Sequence, residues 1–201
     1  MKPFLRVYSY LFHPLFIPLF ATFSFFAIYP TFHSKTTISL ILFQIAIVTI
    51  FIPICFYYLL KSLGKAESIM LYNVSERRLP LLIMAILLFV MIKRSVTIEV
   101  YPELYFFFLG SLASTLIALA FSLLNVKASL HMMGIGSLTI FILTLSIFYG
   151  FNLIYPIAAL FFITGLIASS RLEMKAHDGI ELVVGYLVGI VPQIIIGYVY
   201  L

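Results

Sequence analysis

The sequence predicts an all-α fold, a polytopic transmembrane helical bundle of about six or seven spans. Three observations carry this. The chain is 64% hydrophobic and 9% charged, whereas a soluble domain is nearer half apolar and a quarter charged. Its mean hydropathy is +1.19, more apolar surface than a soluble fold of this length can hide, so lipid is the solvent for most of it. The apolar residues also fall into runs long enough to cross a hydrocarbon core, roughly 20 residues each.

Taken in order, the runs are 7–28, 36–60, 80–98, 104–124, 132–149, 153–168 and 182–201. The first follows Lys2 and Arg6 as a signal sequence would, but it exceeds the ~7–15 residues of a signal h-region and lacks a small-residue cleavage site, so it reads as a retained span. The third is the least regular. Its clean apolar part ends at Ile92, and Lys93 and Arg94 must snorkel to an interface. It pairs with the fourth through the short connection TIEVYPE. Nowhere is there room for a soluble domain, so the chain reads as a single integral membrane domain, 1–201. Pro14, Pro18, Pro53, Pro156 and Pro192 fall within runs and read as ordinary kinks. Cys55 lies in an apolar run and reads as a small buried side chain. Gly185 and Gly189 read as a close-packing face.

Seven crossings sort the polar segments onto two faces. Fourteen of the nineteen charged residues share the face of the N-terminus, 61–79, 125–131 and 169–181. Lys35, Lys93, Arg94, Glu99 and Glu103 lie on the other. Nine Lys/Arg against three would put the richer face in the cytoplasm, unless those cations serve a ligand.

Three loops on that face combine a cation with the start of a helix. NVSERRLP carries Arg77 and Arg78. NVKASLHMMG carries Lys127, Ser129 and His131. SSRLEMKAHDGIELVVG carries Arg171, His177 and Glu181. Helix N-termini favour anions, and arginine forks suit phosphate, so the three loops together predict a phosphate pocket at the membrane surface. His177 and Glu181 are four apart and share a helix face, where the carboxylate fixes the imidazole tautomer and leaves the other nitrogen to attack. Ser129 is placed to cap the fifth helix, and His131 to give a proton to a leaving oxygen. Glu173, Lys175 and Asp178 read as solvated charge, and His13 and His33 as structural. The acidic residues do not cluster and there is no cysteine pair, so no metal site is expected. The net charge of +5 fits lipid headgroups rather than nucleic acid.

SRLEMKAH followed by Glu181 resembles the third signature of the type 2 phosphatidic acid phosphatase family: Ser-Arg, five residues, His, three residues, Asp. ASLH resembles its second signature, Pro-Ser-Gly-His, and ERRLP the end of its first, Lys, six residues, Arg-Pro. The resemblance runs from about Ser75 to Leu201, and includes the Gly185 and Gly189 pair of the last helix. It implies a membrane lipid phosphatase core at about 75–201 that works without metal or other cofactor. His177 would be the nucleophile, forming a phosphohistidine, with Glu181 in the aspartate's place and His131 as general acid. Ser129, Arg171 and Arg77 or Arg78 would hold phosphate. The sequence departs from the pattern at Leu71, where the lysine belongs, at the split Arg78-Leu79-Pro80, and at Ala128 and Leu130. Lys127 or Lys65 is the candidate for the absent cation.

The expected activity is hydrolysis of a phosphate mono- or diphosphate ester on a membrane lipid or polyprenyl carrier, in a bacterial inner (plasma) membrane. The family's precedent implies an extracytoplasmic site, against the charge count. Two alternatives stand beside it: a non-catalytic protein of the same fold that binds anionic lipid, and a small transporter. The transporter expects charge deep in a span, and no span carries it.

Overall fold

The computed structural model describes residues 2–29, 34–64 and 73–200. His33, Lys65, Glu67 and Leu71 therefore lie outside the described residues. Among those described the chain is all helical, with α1 Lys2–Leu11, α2 Ile17–Ile28, α3 Lys35–Ala46, α4 Ile52–Ser62, α5 Arg78–Arg94, α6 Pro102–Leu123, α7 Leu130–Tyr149, α8 Ile154–Glu173 and α9 Gly179–Tyr200. Five helical stretches are long and apolar enough to cross a membrane, one of them Lys35–Ser62, which joins α3 and α4. A sixth is the bent pair Leu5–Leu11 and Pro14–Ile28. Large apolar side chains such as Phe23, Phe43, Phe162 and Ile147 are exposed along these helices, which makes sense only against lipid.

The proline runs do more than kink. A 3-10 turn at Pro14–Phe16 separates α1 from α2, and the two axes differ by 42°. Between α3 and α4 a π-helical turn, Ile47–Phe51, sits just before Pro53, where the missing N–H interrupts the α ladder. Pro156 is in the first turn of α8, where proline costs little. Cys55 is exposed rather than buried.

The third predicted span is shorter than the sequence suggests. α5 starts at Arg78 and ends at Arg94, 17 residues or about 25 Å, short of a ~30 Å hydrocarbon core. Lys93 and Arg94 occupy its last turn, where cations complement the exposed carbonyls, and Ser95 and Val96 both donate backbone N–H groups to Met91 O. The chain continues through 95–101 with Val96 and Tyr101 buried, so α5 and this segment together still take it across the bundle.

Helix ends sort as the charge pattern implies. Arg78 at the start of α5 holds the Ser122 carbonyl and the Asn125 side chain at the end of α6. On the opposite face the Tyr149 hydroxyl at the end of α7 donates to Glu103 at the start of α6, and Tyr29 at the end of α2 stacks on Tyr149. The core between them is apolar, built on Phe25, Ile45, Met91, Leu104, Phe107, Ile135, Leu145 and Ile167.

The tightest contact is α7 on α9. A β-carbon at Gly185 would run into the Ser129 backbone, and one at Gly189 into the Met133 carbonyl. Ser137 Oγ donates to the Gly189 carbonyl at 3.1 Å. Small residues one turn apart let membrane helices approach this closely. Gly189→Ala is accordingly expected to destabilise the bundle by about 1–3 kcal/mol or more, since backbone cannot move aside as a side chain can. Gly165→Ala, in open space on α8, is expected to be neutral or to gain up to about 1 kcal/mol. Thermal unfolding in detergent ranks the two.

Candidate active site

Two loops on the charge-rich face are built alike. α6 ends in a Schellman motif, with Asn125 at φ 60, Asn125 N–H donating to Ser122 O and Val126 N–H to Phe121 O. α8 ends the same way, with Lys175 at φ 51, Lys175 N–H donating to Leu172 O and Ala176 N–H to Arg171 O. Each motif satisfies the last carbonyls and reverses the chain. The reversal delivers it to the N-terminus of the next helix, α7 or α9. Lysine in the left-handed region is strained, so the backbone of Lys175 makes the turn while its side chain is exposed, as the reading of solvated charge expects.

Asp178 likewise has a structural task. Its Oδ1 accepts the Glu181 N–H at 2.8 Å, which makes it the N-cap of α9. Glu181 sits where a capping-box carboxylate would turn back to the cap. Its carboxylate instead accepts from His177 Nδ1 at 2.6 Å, and Lys127 Nζ stands 3.5 Å away. Lys127 also donates to Ala176 O at 2.8 Å. Because a carboxylate only accepts, Nδ1 of His177 carries the hydrogen and Nε2 is the bare nitrogen.

His131 is fixed by a different partner. Its Nε2 lies 3.1 Å from the Ser9 carbonyl, so Nε2 donates and Nδ1 is left open. Ser9 is itself tied to α8, its hydroxyl 2.7 Å from that of Ser170. The His13 ring stands edge-on to His131, centroids 5.2 Å apart. His13 Nδ1 accepts the Leu15 N–H and caps the 3-10 turn, so its Nε2 carries the hydrogen. Three imidazoles thus meet with their tautomers set by the fold.

His13, Arg77, His131, Arg171 and His177 line one cavity of about 180 Å³. Arg171 is 1% exposed and Arg77 4%. Arg77 anchors one guanidinium nitrogen on Ala128 O at 2.9 Å, and Arg171 Nη1 lies 3.8 Å from Met174 Sδ. Beyond this polar end the cavity continues between apolar side chains of α2, α4 and α5, among them Ile17, Pro18, Ile54, Phe56, Leu81 and Leu88. The shape is that of an amphiphile, with a cationic and imidazole-rich head and a greasy body.

Not every sequence-predicted residue reaches the cavity. Arg78 points to the α6 terminus, as described above. Ser129 is fully buried and is spent on capping, its hydroxyl accepting Met132 N–H at 3.5 Å. Its backbone N–H donates to Glu181 O at 3.0 Å. Lys127 and Glu181 stand behind His177 rather than at the cavity wall. His13, read from sequence as structural, both caps its turn and lines the cavity. The tell is its place beside Pro14, where a break in a span turns a side chain inward. Among the described residues, no group of three or more His, Cys, Asp or Glu is arranged so that it could hold a metal ion. The cationic side chains that line the cavity are Arg77 and Arg171.

Electrostatics follow from this crowding. Burial first, then the neighbouring Arg77, Lys127 and Arg171, push the His177 pKa down from 6.5 to about 3. The imidazole is neutral at pH 7, the form that has a lone pair to give. Burial, and Arg171 nearby, also lower Arg77 to about 10, opposed by Glu181 and Glu76, and it stays charged at neutral pH.

Comparisons of the chain with protein-family models, with curated proteins and with solved structures give no match.

The His177 shift has a measurable consequence. Unfolded, the imidazole charges near 6.5; folded, it charges near 3. Between those values the unfolded chain binds more protons, so the contribution of His177 to stability is full above pH 6.5 and is lost as pH falls toward 3. Melting temperature against pH in detergent should fall through that window, and His177→Asn should flatten the slope.

Proposed function

We propose that this protein is a metal-independent lipid phosphatase of a bacterial plasma membrane, acting through a phosphohistidine. The observation that carries the reading is the cavity described above. Buried arginines and three imidazoles close one end, and apolar side chains line the rest. A lipid phosphate enters from the bilayer with its tail along α4 and α5 and its headgroup between Arg77 and Arg171, whose positive charge offsets that of the phosphoryl oxygens. Phosphoryl transfer asks little of a protein beyond positioning and charge.

In the first step His177 Nε2 attacks phosphorus. The bond from phosphorus to the lipid oxygen breaks. As the imidazole gains positive charge, its Nδ1–H is held by Glu181. The proton carried by the substrate monoanion reaches the leaving oxygen through His131 Nδ1, while His131 Nε2–H rests on the Ser9 carbonyl. In the second step water attacks phosphorus and the phosphorus–nitrogen bond breaks, while the water's second proton passes through His131 to a phosphate oxygen, which leaves His131 neutral. Lipid alcohol and inorganic phosphate result, and His177 is again neutral.

The detergent-solubilised protein should release phosphate from lipid monophosphates in excess EDTA, and vanadate should block it. His177→Ala should lower turnover by about a thousand-fold or more. Unchanged turnover in that variant would sink the mechanism. Tight binding of lipid phosphate with no turnover at high protein concentration would instead favour the non-catalytic lipid-binding reading.

His13 supplies an independent check. In His13→Asn the cap is kept, since asparagine is among the best N-caps, but the Nε2–H that faces the cavity is gone. Loss of a hydrogen bond to a charged ligand costs about 1.5–3 kcal/mol. The catalytic efficiency should therefore fall roughly 10- to 100-fold with the melting temperature unchanged.

A further inference from the structure

One buried hydroxyl in the cavity stands apart from the rest. Ser114, on α6, is 1% exposed and lines the cavity. Among the described residues its Oγ has no hydrogen-bond partner. Its neighbours behave as membrane hydroxyls do. Ser111 donates to Phe107 O, Thr115 to Ser111 O, and Ser137 to Met133 O and Gly189 O, each relieving its burial on the carbonyl one turn back. A lone buried hydroxyl is costly in an apolar setting, and alanine would fill the same helical position without that cost.

The depth of Ser114 follows from the packing. Gly110 on α6 abuts Gln193 on α9, and Gly189 on α9 abuts Met133 on α7. Ser114 is four residues nearer the site than Gly110, as Gly189 is four nearer than Gln193. Ser114, Gly189 and Met133 are therefore about level. His131 is two residues above Met133, about 3 Å along the axis. Along the bundle axis the hydroxyl thus lies within roughly one helical turn of the level of His131, and both line the same cavity.

We infer that Ser114 is a subsite for an acyl-ester carbonyl of the lipid phosphate. In a glycerolipid that carbonyl stands a few bonds from phosphorus, at the depth where Ser114 lies, and it accepts the hydrogen bond that a serine gives. An isoprenoid chain has no acceptor there, and an ether-linked chain has only a weak one. The inference rests on the proposed reading of the polar end as the phosphate site, and it selects an ester-linked lipid from the broader class.

The test separates binding from turnover. Non-hydrolysable phosphonate analogues of a diacyl and a dialkyl glycerol phosphate of equal chain length, and of a polyprenyl phosphate, are titrated into the detergent-solubilised protein and followed by native mass spectrometry. The diacyl analogue should bind about ten-fold more tightly than the other two. Ser114→Ala should bring its affinity down to that of the dialkyl analogue, with the dialkyl affinity unchanged, which also shows the variant to be folded. Ser114→Thr should retain the preference.

Equal affinities in the wild type, tighter polyprenyl binding, or a preference that survives Ser114→Ala would overturn the subsite; in the last case the hydroxyl is serving only a water. Hydrolysis of the matching phosphate esters is measured separately. Ester-dependent binding with no hydrolysis upholds the subsite and counts against the phosphatase reading, whereas hydrolysis with no ester preference overturns the subsite alone.

Discussion

The site depends on how closely α7 and α9 approach. Gly185 and Gly189 remove the side chains that would hold the two backbones apart, and the Ser129 N–H reaches across to the Glu181 carbonyl. Between lipid-facing helices no hydrophobic driving force favours one register over another. This register is set by steric fit and by a backbone hydrogen bond. Shift α9 by one turn and Glu181, with the His177 it holds, leaves the level of His131. The helix pair and the imidazole pair are one constraint.

Around that contact the local structure is economical. Two Schellman motifs end α6 and α8, and two N-caps, Ser129 and Asp178, begin α7 and α9. The loops are short because each turn is saturated by its own backbone and cap. The capped starts of α7 and α9 flank His177, whose surroundings also hold Arg77, Lys127 and Arg171. Burial first, and then this positive potential, holds His177 neutral. In the proposed function, an anionic headgroup offsets that potential on entering, which gives the cavity a reason to select phosphate before any chemistry begins.

Much of this was legible in the sequence. Composition and run length gave the helical membrane fold, and charge counting gathered the three loops on one face. The spacing from His177 to Glu181 gave their contact. The rest turned on detail that spacing does not carry. Arg77 and Arg78 are adjacent, so a helix start sends them in different directions, and only one reaches the cavity. Asp178 was readable as a cap from its distance to Glu181, but the carboxylate's pairing with His177 masked the capping box. Lys175 adopts a conformation usually left to glycine. His13 needed the break at Pro14 and the 42° bend to turn it inward. α5 stops early because its last turn is basic, which an apolar window averages away.

The central claim is that His177 Nε2 forms a bond to phosphorus. The direct measurement is a rapid quench of the protein with a radiolabelled diacylglycerol phosphate, followed by peptide mapping by mass spectrometry. A phosphoryl group on His177, labile to acid and stable to base, appearing before phosphate release and absent in the asparagine variant, is the predicted result. Phosphate release at full rate with no label on His177 at any time would contradict the account.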